Sequence, residues 1–522
     1  MDQRTQIAVP ITSAQVPLPE QVRAAAAAGA DLVELRVDLI GDVAPVEDLL
    51  RRPRVLPAIL TVRAADEGGA FNGSDAERIA LIERLGLLQP GYVDVEYATW
   101  SRSANLRQKI GLVCETGSDN DAHASDTRRP RNQLILSYHD FKGIPADLDT
   151  ILDRLGDTPA AVAKVAFAPR DATDTCRLLT QLQRRSRRPW IALAMGEAGL
   201  PSRLLAGKFG AFLTFATISQ SDESAPGQPR LSDLRRIHRW DAVASTTKVY
   251  GVVGWPVGHS QSPRVHNAAM DAAGIDGVYV PWAVGPDYEP FCRFMNTVVN
   301  QDELDVMGLS VTLPHKQHAA RWLASMGLPI SPVARRCGAV NTLVRRRDGW
   351  QGENTDAHGA LAALRGSAEQ TESDLRGRHV AVLGAGGAAR AIVAGLLTEG
   401  CQVTVYNRSH TRSEQLAHEL GCHHAPWERR SEYAGDVLIN CTSVGLHPAV
   451  NDSPVPAHAI RPNTLVFDTV YNPPRTRLLR EAQDRGCETV SGVEMFLAQA
   501  AAQFQYWHGA APDVDRMRAA LA

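Results

Sequence analysis

Eight short apolar runs, separated by stretches of helical periodicity, occupy the first 220 residues of this 522-residue chain. They are Ile7–Ile11, Leu32–Val37, Val55–Val62, Gly91–Val95, Gln133–Ser137, Ala161–Ala166, Trp190–Met195 and Ala211–Phe215. Runs of this kind, rich in β-branched residues, read as strands buried on both faces. Helical patterns such as Glu20–Ala28, Asp75–Leu87 and Thr173–Arg184 lie between them. Strand–helix alternation implies a parallel sheet, and eight such units fit a closed (β/α)8 TIM barrel better than an open sheet.

The chain is too long for one core. The stretch Ser221–Arg230 is rich in Ser, Pro and Gly, and a new α/β pattern starts at Lys248–Gly254. A further start at Arg378–Leu383 follows the polar stretch Glu369–Asp374. The expected organisation is a barrel over 1–244, a second unit starting at 248 and a third starting near 374. Segment Glu115–Arg131 is polar and reads as an insertion before the fifth strand.

Composition narrows the class. A net charge of -3, with 22% charged and 44% hydrophobic residues, describes a soluble globular protein and gives no reason to expect nucleic acid or an anionic membrane as partner. Ala381–Gly400, the least charged long stretch, is Gly-rich and carries Arg390, which makes it a poor membrane span. The opening Met1–Thr5 is charged, and no signal-peptide core follows it. The eight cysteines form no CxxC pair, as expected of reduced thiols in a cytoplasmic protein. Cys422-His423-His424 lacks partners at ligand spacing, so no metal is expected.

Active sites of α/β barrels sit at the C-terminal strand ends, and polar residues collect there. Glu34 and Arg36 lie in the second run, and Arg63 ends the third. Asp94 and Glu96 end the fourth, and His139-Asp140 follows the fifth. Lys164 sits inside the sixth, among Val162, Ala163, Val165 and Ala166. Hydrocarbon surroundings disfavour an ammonium, and a neutral amine is what Schiff-base formation with a ketone requires. By position alone, Lys164 could equally pair with a barrel carboxylate such as Glu96, and His139 could be a satisfied core histidine.

The segments Glu34–Asp38, Thr61–Arg63 with Glu67-Gly68-Gly69, and Ser137–Phe141 resemble type I 3-dehydroquinate dehydratase. Lys164, Met195-Gly196 through Ser202-Arg203, and Ser224–Gln228 extend the resemblance in order across the first half. It implies that Lys164 forms an imine with the ketone of 3-dehydroquinate and that His139 is general base and then acid. Glu67 would orient His139. Glu34, Arg36 and Arg63 would hold ring hydroxyls, and Arg203, Ser224 and Gln228 the carboxylate. A class I aldolase on the same barrel is the competing reading, and the carboxylate cluster opposes it.

In the second half, Val380–Arg390 is an apolar strand running into Gly384-Ala385-Gly386-Gly387-Ala388 and then a helix. This is the G-x-G-x-x-A form of a dinucleotide-binding Rossmann fingerprint. The next strand ends in Asn407-Arg408-Ser409, with Arg412 one turn on. Asn and Arg at this point suit the extra phosphate of NADP, where an NAD site usually places a carboxylate. Together with Gly258–Pro263, Ser310–Lys316, Ala339–Thr342 and Glu353–Asp356, the fingerprint resembles shikimate dehydrogenase over almost all of Tyr250–Ala522.

That resemblance implies one substrate-binding domain over 248–370 and 491–522, with 374–490 as the NADP-binding domain. It also implies Lys316 and Asp356 as the catalytic pair and Ser260 and Ser262 on the carboxylate of shikimate. Thr312, Asn341 and Gln499 would take ring hydroxyls, and Tyr471 the substrate side. Thr442, Ser443 and Gly492 would face the cofactor. Ser310, Ser491 and Glu494 depart from the usual Asn, Asp and Gly, which opens quinate as an alternative substrate. One chain would then make 3-dehydroshikimate and reduce it. A non-catalytic metabolite sensor is the remaining alternative, and it sits poorly with the presence of Lys164, His139, Lys316 and Asp356. Oligomeric state cannot be read from the residues.

Overall fold

The computed structural model describes residues 4–115, 132–185, 188–219, 223–368, 375–433 and 435–521. Apart from Glu115, the insertion expected over 115–131 lies outside them, as does the whole of the polar stretch 369–374. The chain forms two compact units: residues 1–248 with 276–285 and 293–305, and residues 249–275, 286–292 and 306–522.

In the first unit the eight strands are β1 Gln6–Ile11, β2 Leu32–Arg36, β3 Ala58–Thr61, β4 Gly91–Glu96, β5 Asn132–Asp140, β6 Val162–Phe167, β7 Trp190–Ala194 and β8 Leu213–Phe215. β1 to β7 are neighbours in chain order, and β8 returns beside β1. Their pairings are parallel. The ring nearly closes where the Phe212 N–H, just before β8, donates to the Trp190 carbonyl at 2.7 Å. β5 runs three residues past the level at which β4 ends and finishes level with β6, so His139 and Asp140 lie within it, paired in register with Ala166 and Phe167 of β6.

Side chains alternate along a strand with period two, and the barrel lumen is filled accordingly. Leu32, Ile59, Ile135, Val162, Ile191 and Leu213 belong to one apolar cluster. Two residues further along the same faces come Glu34 on β2, Ser137 on β5 and Lys164 on β6, all buried. The lumen therefore changes from hydrocarbon to charge toward the C-terminal strand ends.

The second unit contains two sheets. β9 Lys248–Gly254, β10 Val306–Val311, β11 Thr342–Arg346 and β12 Gly349–Glu353 lie side by side in that order, the first pair parallel and the others antiparallel. The other sheet is parallel and six-stranded: β13 His379–Leu383, β14 Gln402–Asn407, β15 His423–Pro426, β16 Val437–Asn440, β17 Leu465–Asp468 and β18 Glu488–Ser491. Its order is β15-β14-β13-β16-β17-β18, so the chain changes direction across the sheet between β13 and β16. Such a switch point leaves a crevice at the strands' carboxyl ends. Helix Gly387–Thr398 covers it, packing Ile392 and Leu396 into one core with Val380, Val382 and Phe467. No described helix is long and apolar enough to cross a membrane.

Leu396 is fully buried in that core. Leu396→Ala should destabilise the six-stranded sheet by about 2–5 kcal/mol, seen as faster hydrogen exchange in peptides from β13 and β16.

Candidate active sites

A cavity of about 190 Å³ opens at the C-terminal end of the barrel, and all nine residues expected there line it: Glu34, Arg36, Arg63, Glu67, His139, Lys164, Arg203, Ser224 and Gln228. Local structure explains their convergence. Beyond β3, residues Ala65–Glu67 make one 3-10 turn that ends at Gly68 in the left-handed region, φ 79°. The chain then doubles back so closely that a side chain at Gly69 would meet the Arg63 carbonyl oxygen at 2.0 Å. This return brings Glu67 to His139. The Glu67 Oε2 accepts from the His139 backbone N–H at 3.2 Å and lies 2.9 Å from its Nδ1.

Burial, outweighing the pull of Arg63, pushes the Glu67 carboxyl up to about 7. Burial, joined by the positive charges of Arg63 and Lys164, holds His139 well below the ordinary histidine value. A neutral imidazole whose Nδ1–H is taken by Glu67 leaves Nε2 free to accept a proton.

Lys164 does not stand in hydrocarbon alone, which corrects the expectation from its flanking residues. Its Nζ donates to Asp94 Oδ2 at 2.7 Å, lies 3.7 Å from Glu34 Oε1, and sits 5.1 Å from the centre of the Phe215 ring. The carboxylate partner is also Asp94 rather than Glu96. Strand register puts Glu96 level with Ser137 and Lys164. A barrel of eight strands with shear eight slips by roughly one residue per strand, so β6 meets a residue two positions back on β4.

Asp94 and Glu96 belong to a buried ion network beneath the cavity. Arg63 reaches Asp94 at 2.9 Å and Glu96 at 3.2 Å. Arg78 closes on Glu96 from behind and donates to Thr99 at 2.6 Å. Burial opposes the Asp94 charge, but Arg63 and Lys164 outweigh it and hold the carboxyl well below its usual range. Arg36 forms a two-pronged pair with Asp38 at 3.0 and 2.8 Å.

Arg203 differs from the other buried cations. It is 1% exposed, and its Nε and Nη1 have no hydrogen-bond partner among the described residues. Burial lowers its guanidinium to about 10, against a weaker opposing pull from Glu223. Nearby, Ser224 and Gln228 hold each other, through Ser224 N–H to Gln228 Oε1 at 3.0 Å and Gln228 Nε2 to Ser224 Oγ at 3.1 Å. A desolvated guanidinium beside polar groups in a cavity suits a carboxylate ligand.

In the second unit a cavity of about 250 Å³ lies at the switch point. It is lined by Ser260, Ser262, Thr312, Lys316, Asn341, Asp356, Tyr471 and Gln499, and by Gly386, Gly387, Ala388, Thr442, Ser443 and Gly492. Lys316 Nζ donates to Asp356 Oδ2 at 2.5 Å, and Asn341 Nδ2 donates to the other oxygen at 2.8 Å. The Tyr471 ring stacks on Phe496 at 4.6 Å, and burial raises its phenol above the ordinary value.

Gly384 and Ala385 lie in the turn from β13 toward this cavity but do not line it. Gly384 has φ 108°, and a side chain there would meet the Cys441 carbonyl at 3.0 Å, so the turn tolerates only glycine. Gly386, the N-cap of helix Gly387–Thr398, provides no side-chain cap. The first-turn N–H groups of that 12-residue helix thus point toward an anion's place. Asn407, Arg408, Ser409 and Arg412 lie one strand over, outside the cavity lining. Arg408 and Arg412 are exposed and form no ion pair among the described residues. These features fit a dinucleotide with an added phosphate.

Four families match in succession. Type I 3-dehydroquinase covers residues 7–245, the shikimate dehydrogenase substrate-binding domain 252–343, and shikimate/quinate 5-dehydrogenase 366–469. The shikimate 5'-dehydrogenase C-terminal domain follows at 492–522. The bifunctional 3-dehydroquinate dehydratase/shikimate dehydrogenase of Arabidopsis thaliana, named as chloroplastic, is 35% identical over 500 residues, 92% of this chain and 78% of that protein. This chain belongs to that bifunctional family. The NADP(+) shikimate dehydrogenases of Methanosarcina mazei and Rhodospirillum rubrum are 39% and 40% identical over 52% and 53% of the chain, and 96% and 98% of their own lengths.

Several lining residues escaped the sequence reading. In the barrel these include Phe141, Met195 and Phe215. In the second cavity they include Thr469, Phe496 and Gln503; Ser310, read from the sequence as a departure from the usual asparagine, and Cys441 line it as well. Ser310 donates to Gln503 Oε1 at 2.7 Å, and Gln503 Nε2 reaches the Asn341 carbonyl at 3.1 Å. Of the other departures from the family pattern, Ser491 caps helix Gly492–His508, and Glu494 pairs with Arg518 on the surface.

Arg203→Met removes a buried, under-partnered charge at similar volume. It should stabilise the ligand-free protein by about 1–3 kcal/mol in urea unfolding while abolishing turnover at the barrel.

Proposed function

We propose that the chain dehydrates 3-dehydroquinate to 3-dehydroshikimate in a barrel domain, 1–244, and reduces the product to shikimate in the remainder. In that remainder, 248–370 with 491–522 binds substrate and 374–490 binds NADP(H). One observation carries the first half: a single cavity collects a buried amine, a neutral histidine with its carboxylate, and a guanidinium lacking partners.

Arg203, with Ser224 and Gln228, takes the substrate carboxylate and relieves its own desolvation. Glu34, Arg36 and Arg63 hold the ring hydroxyls. Lys164, after passing its ammonium proton to His139, attacks the ketone. His139 returns the proton to the carbinolamine hydroxyl, which leaves as water and gives an iminium that acidifies the adjacent C–H. His139 removes that proton and returns it to the departing hydroxyl, with Glu67 steadying the imidazolium between the two steps. Hydrolysis of the imine then frees the enone.

In the second half NADPH, when bound, supplies the reducing hydride. Gly384, Ala385, Gly386, Gly387 and Ala388 with Thr442, Ser443 and Gly492 would cradle it, and Asn407, Arg408, Ser409 and Arg412 would take its extra phosphate. Ser260 and Ser262 hold the substrate carboxylate, and Thr312, Asn341, Gln499 and Tyr471 set the ring. Lys316, kept charged and aimed by Asp356, protonates the carbonyl oxygen as negative charge develops there. The small-molecule substrates suffice; no nucleic acid or membrane partner is required. The free cysteines favour a cytoplasmic location.

The test follows NADPH oxidation after adding 3-dehydroquinate to the whole chain. Lys164→Met should abolish the signal yet leave reduction of added 3-dehydroshikimate intact. Lys316→Met should cut reduction by about 10²-fold or more while the enone still accumulates from 3-dehydroquinate. Undiminished elimination in Lys164→Met, or undiminished reduction in Lys316→Met, would refute the assignment of that half.

A further inference from the structure

Asp468 ends β17, is fully buried, and belongs to neither set of residues named above. Its carboxylate is the meeting point of three donors. Oδ1 accepts from Asn440 Nδ2 at 2.9 Å and from the Val470 N–H at 3.0 Å. Oδ2 accepts from the Thr476 hydroxyl at 2.6 Å. Asn440 ends β16, the neighbouring strand, in register with Asp468. Because its amide donates to Asp468, Asn440 must turn its oxygen the other way. That oxygen accepts from the Thr442 N–H at 3.0 Å and from the Thr442 hydroxyl at 2.7 Å.

The carboxylate thus ties together two loops that follow adjacent strands, 441–445 and 469–476. Both loops line the cavity at the switch point, through Thr442 and Ser443 on one side and Thr469, Val470 and Tyr471 on the other. A neutral carboxamide at 468 can keep one oxygen toward Asn440 and Val470 but turns an NH2 toward the Thr476 hydroxyl and lacks the charge that strengthens these bonds. Asn440 Nδ2 is then held by a neutral acceptor and by the Val444 carbonyl at 3.2 Å, so its amide turns over more readily and Thr442 is fixed less firmly.

We propose that Asp468 is a positioning residue for the cofactor: its ionised carboxylate sets the orientation of Asn440, and through it the shape of loop 441–445, whose Thr442 and Ser443 face NADP(H). This rests on the reading that the cofactor lies against that loop. The groups that act on the Asp468 carboxyl, namely Thr476, Val470 and Asn440, are all neutral, and the titratable side chain it acts on in turn is the Cys441 thiol. With no cation beside it, burial raises the carboxyl to about 6. The protonated form accumulates below that value, so the positioning weakens on the acid side.

Steady-state shikimate oxidation by the full chain, with calorimetric titration of NADP+, tests this. Asp468→Asn should raise the NADP+ KM and Kd by about tenfold, with kcat and the shikimate KM little changed. Dehydratase activity serves as the folding control and should be unaltered. In the unsubstituted protein the NADP+ KM should rise as the pH falls through about 6, and in Asp468→Asn that dependence should vanish. Thr476→Val, which removes one donor and leaves the carboxylate, should raise the NADP+ KM by only about threefold, and it stands in should Asp468→Asn not fold. If the unsubstituted chain binds NADP+ and both variants bind it equally well, the inference fails alone. Parallel loss of kcat and both KM values would reduce Asp468 to a structural role. If the unsubstituted chain does not bind NADP+, the cofactor reading itself is wrong and the inference falls with it.

Discussion

The ion pair between Lys164 and Asp94 is the contact on which the barrel site depends. A charge taken out of water must find a partner or lose its proton, and an unpaired buried charge is strongly destabilising. Lys164 at the centre of the lumen therefore requires Asp94, Asp94 also engages Arg63, and Arg63 shares Glu96 with Arg78. Each added charge is met by one of opposite sign, and the series runs from the middle of the barrel to the helix Asp75–Gly86 behind it. Arg203 lies outside this balance, with two guanidinium nitrogens unpartnered. A carboxylate-bearing substrate completes the set.

The second unit meets a similar demand with hydrogen bonds more than with charges. Asn341 illustrates it: its amide nitrogen serves Asp356, while its oxygen receives the Thr355 N–H at 2.8 Å. Asp356 in turn holds Lys316. Asp468 and Asn440 do the same for the loops across the cavity. In the barrel the reactive groups stand at the carboxyl ends of parallel strands, where loops can vary without disturbing the sheet; in the second unit Lys316 and Asp356 follow the carboxyl ends of β10 and β12 in the mixed sheet.

Much of this was legible in the residues because period and punctuation are local. The eight barrel strands, the glycine turn after β13 and the alternation of Glu34 and Arg36 on one face follow from spacing alone. The partner of Lys164 did not, because it depends on barrel shear, a property of the closed ring rather than of any strand. Asp94 and Glu96 are both inward-facing on β4, and only the slip between strands selects the first. Asp468 was invisible for a related reason: its three donors come from the neighbouring strand and from the loop after its own, and no sequence pattern marks a buried carboxylate without a cation. Arg203 was found through family resemblance, while its lack of partners emerged only from the packed structure.

The claim that Lys164 carries a covalent intermediate is tested most directly by borohydride reduction in the presence of 3-dehydroquinate, followed by peptide mass spectrometry. A stable adduct confined to the peptide bearing Lys164, and absent without substrate, is the expected result. Turnover that continues undiminished under borohydride, with every lysine unmodified, would contradict it.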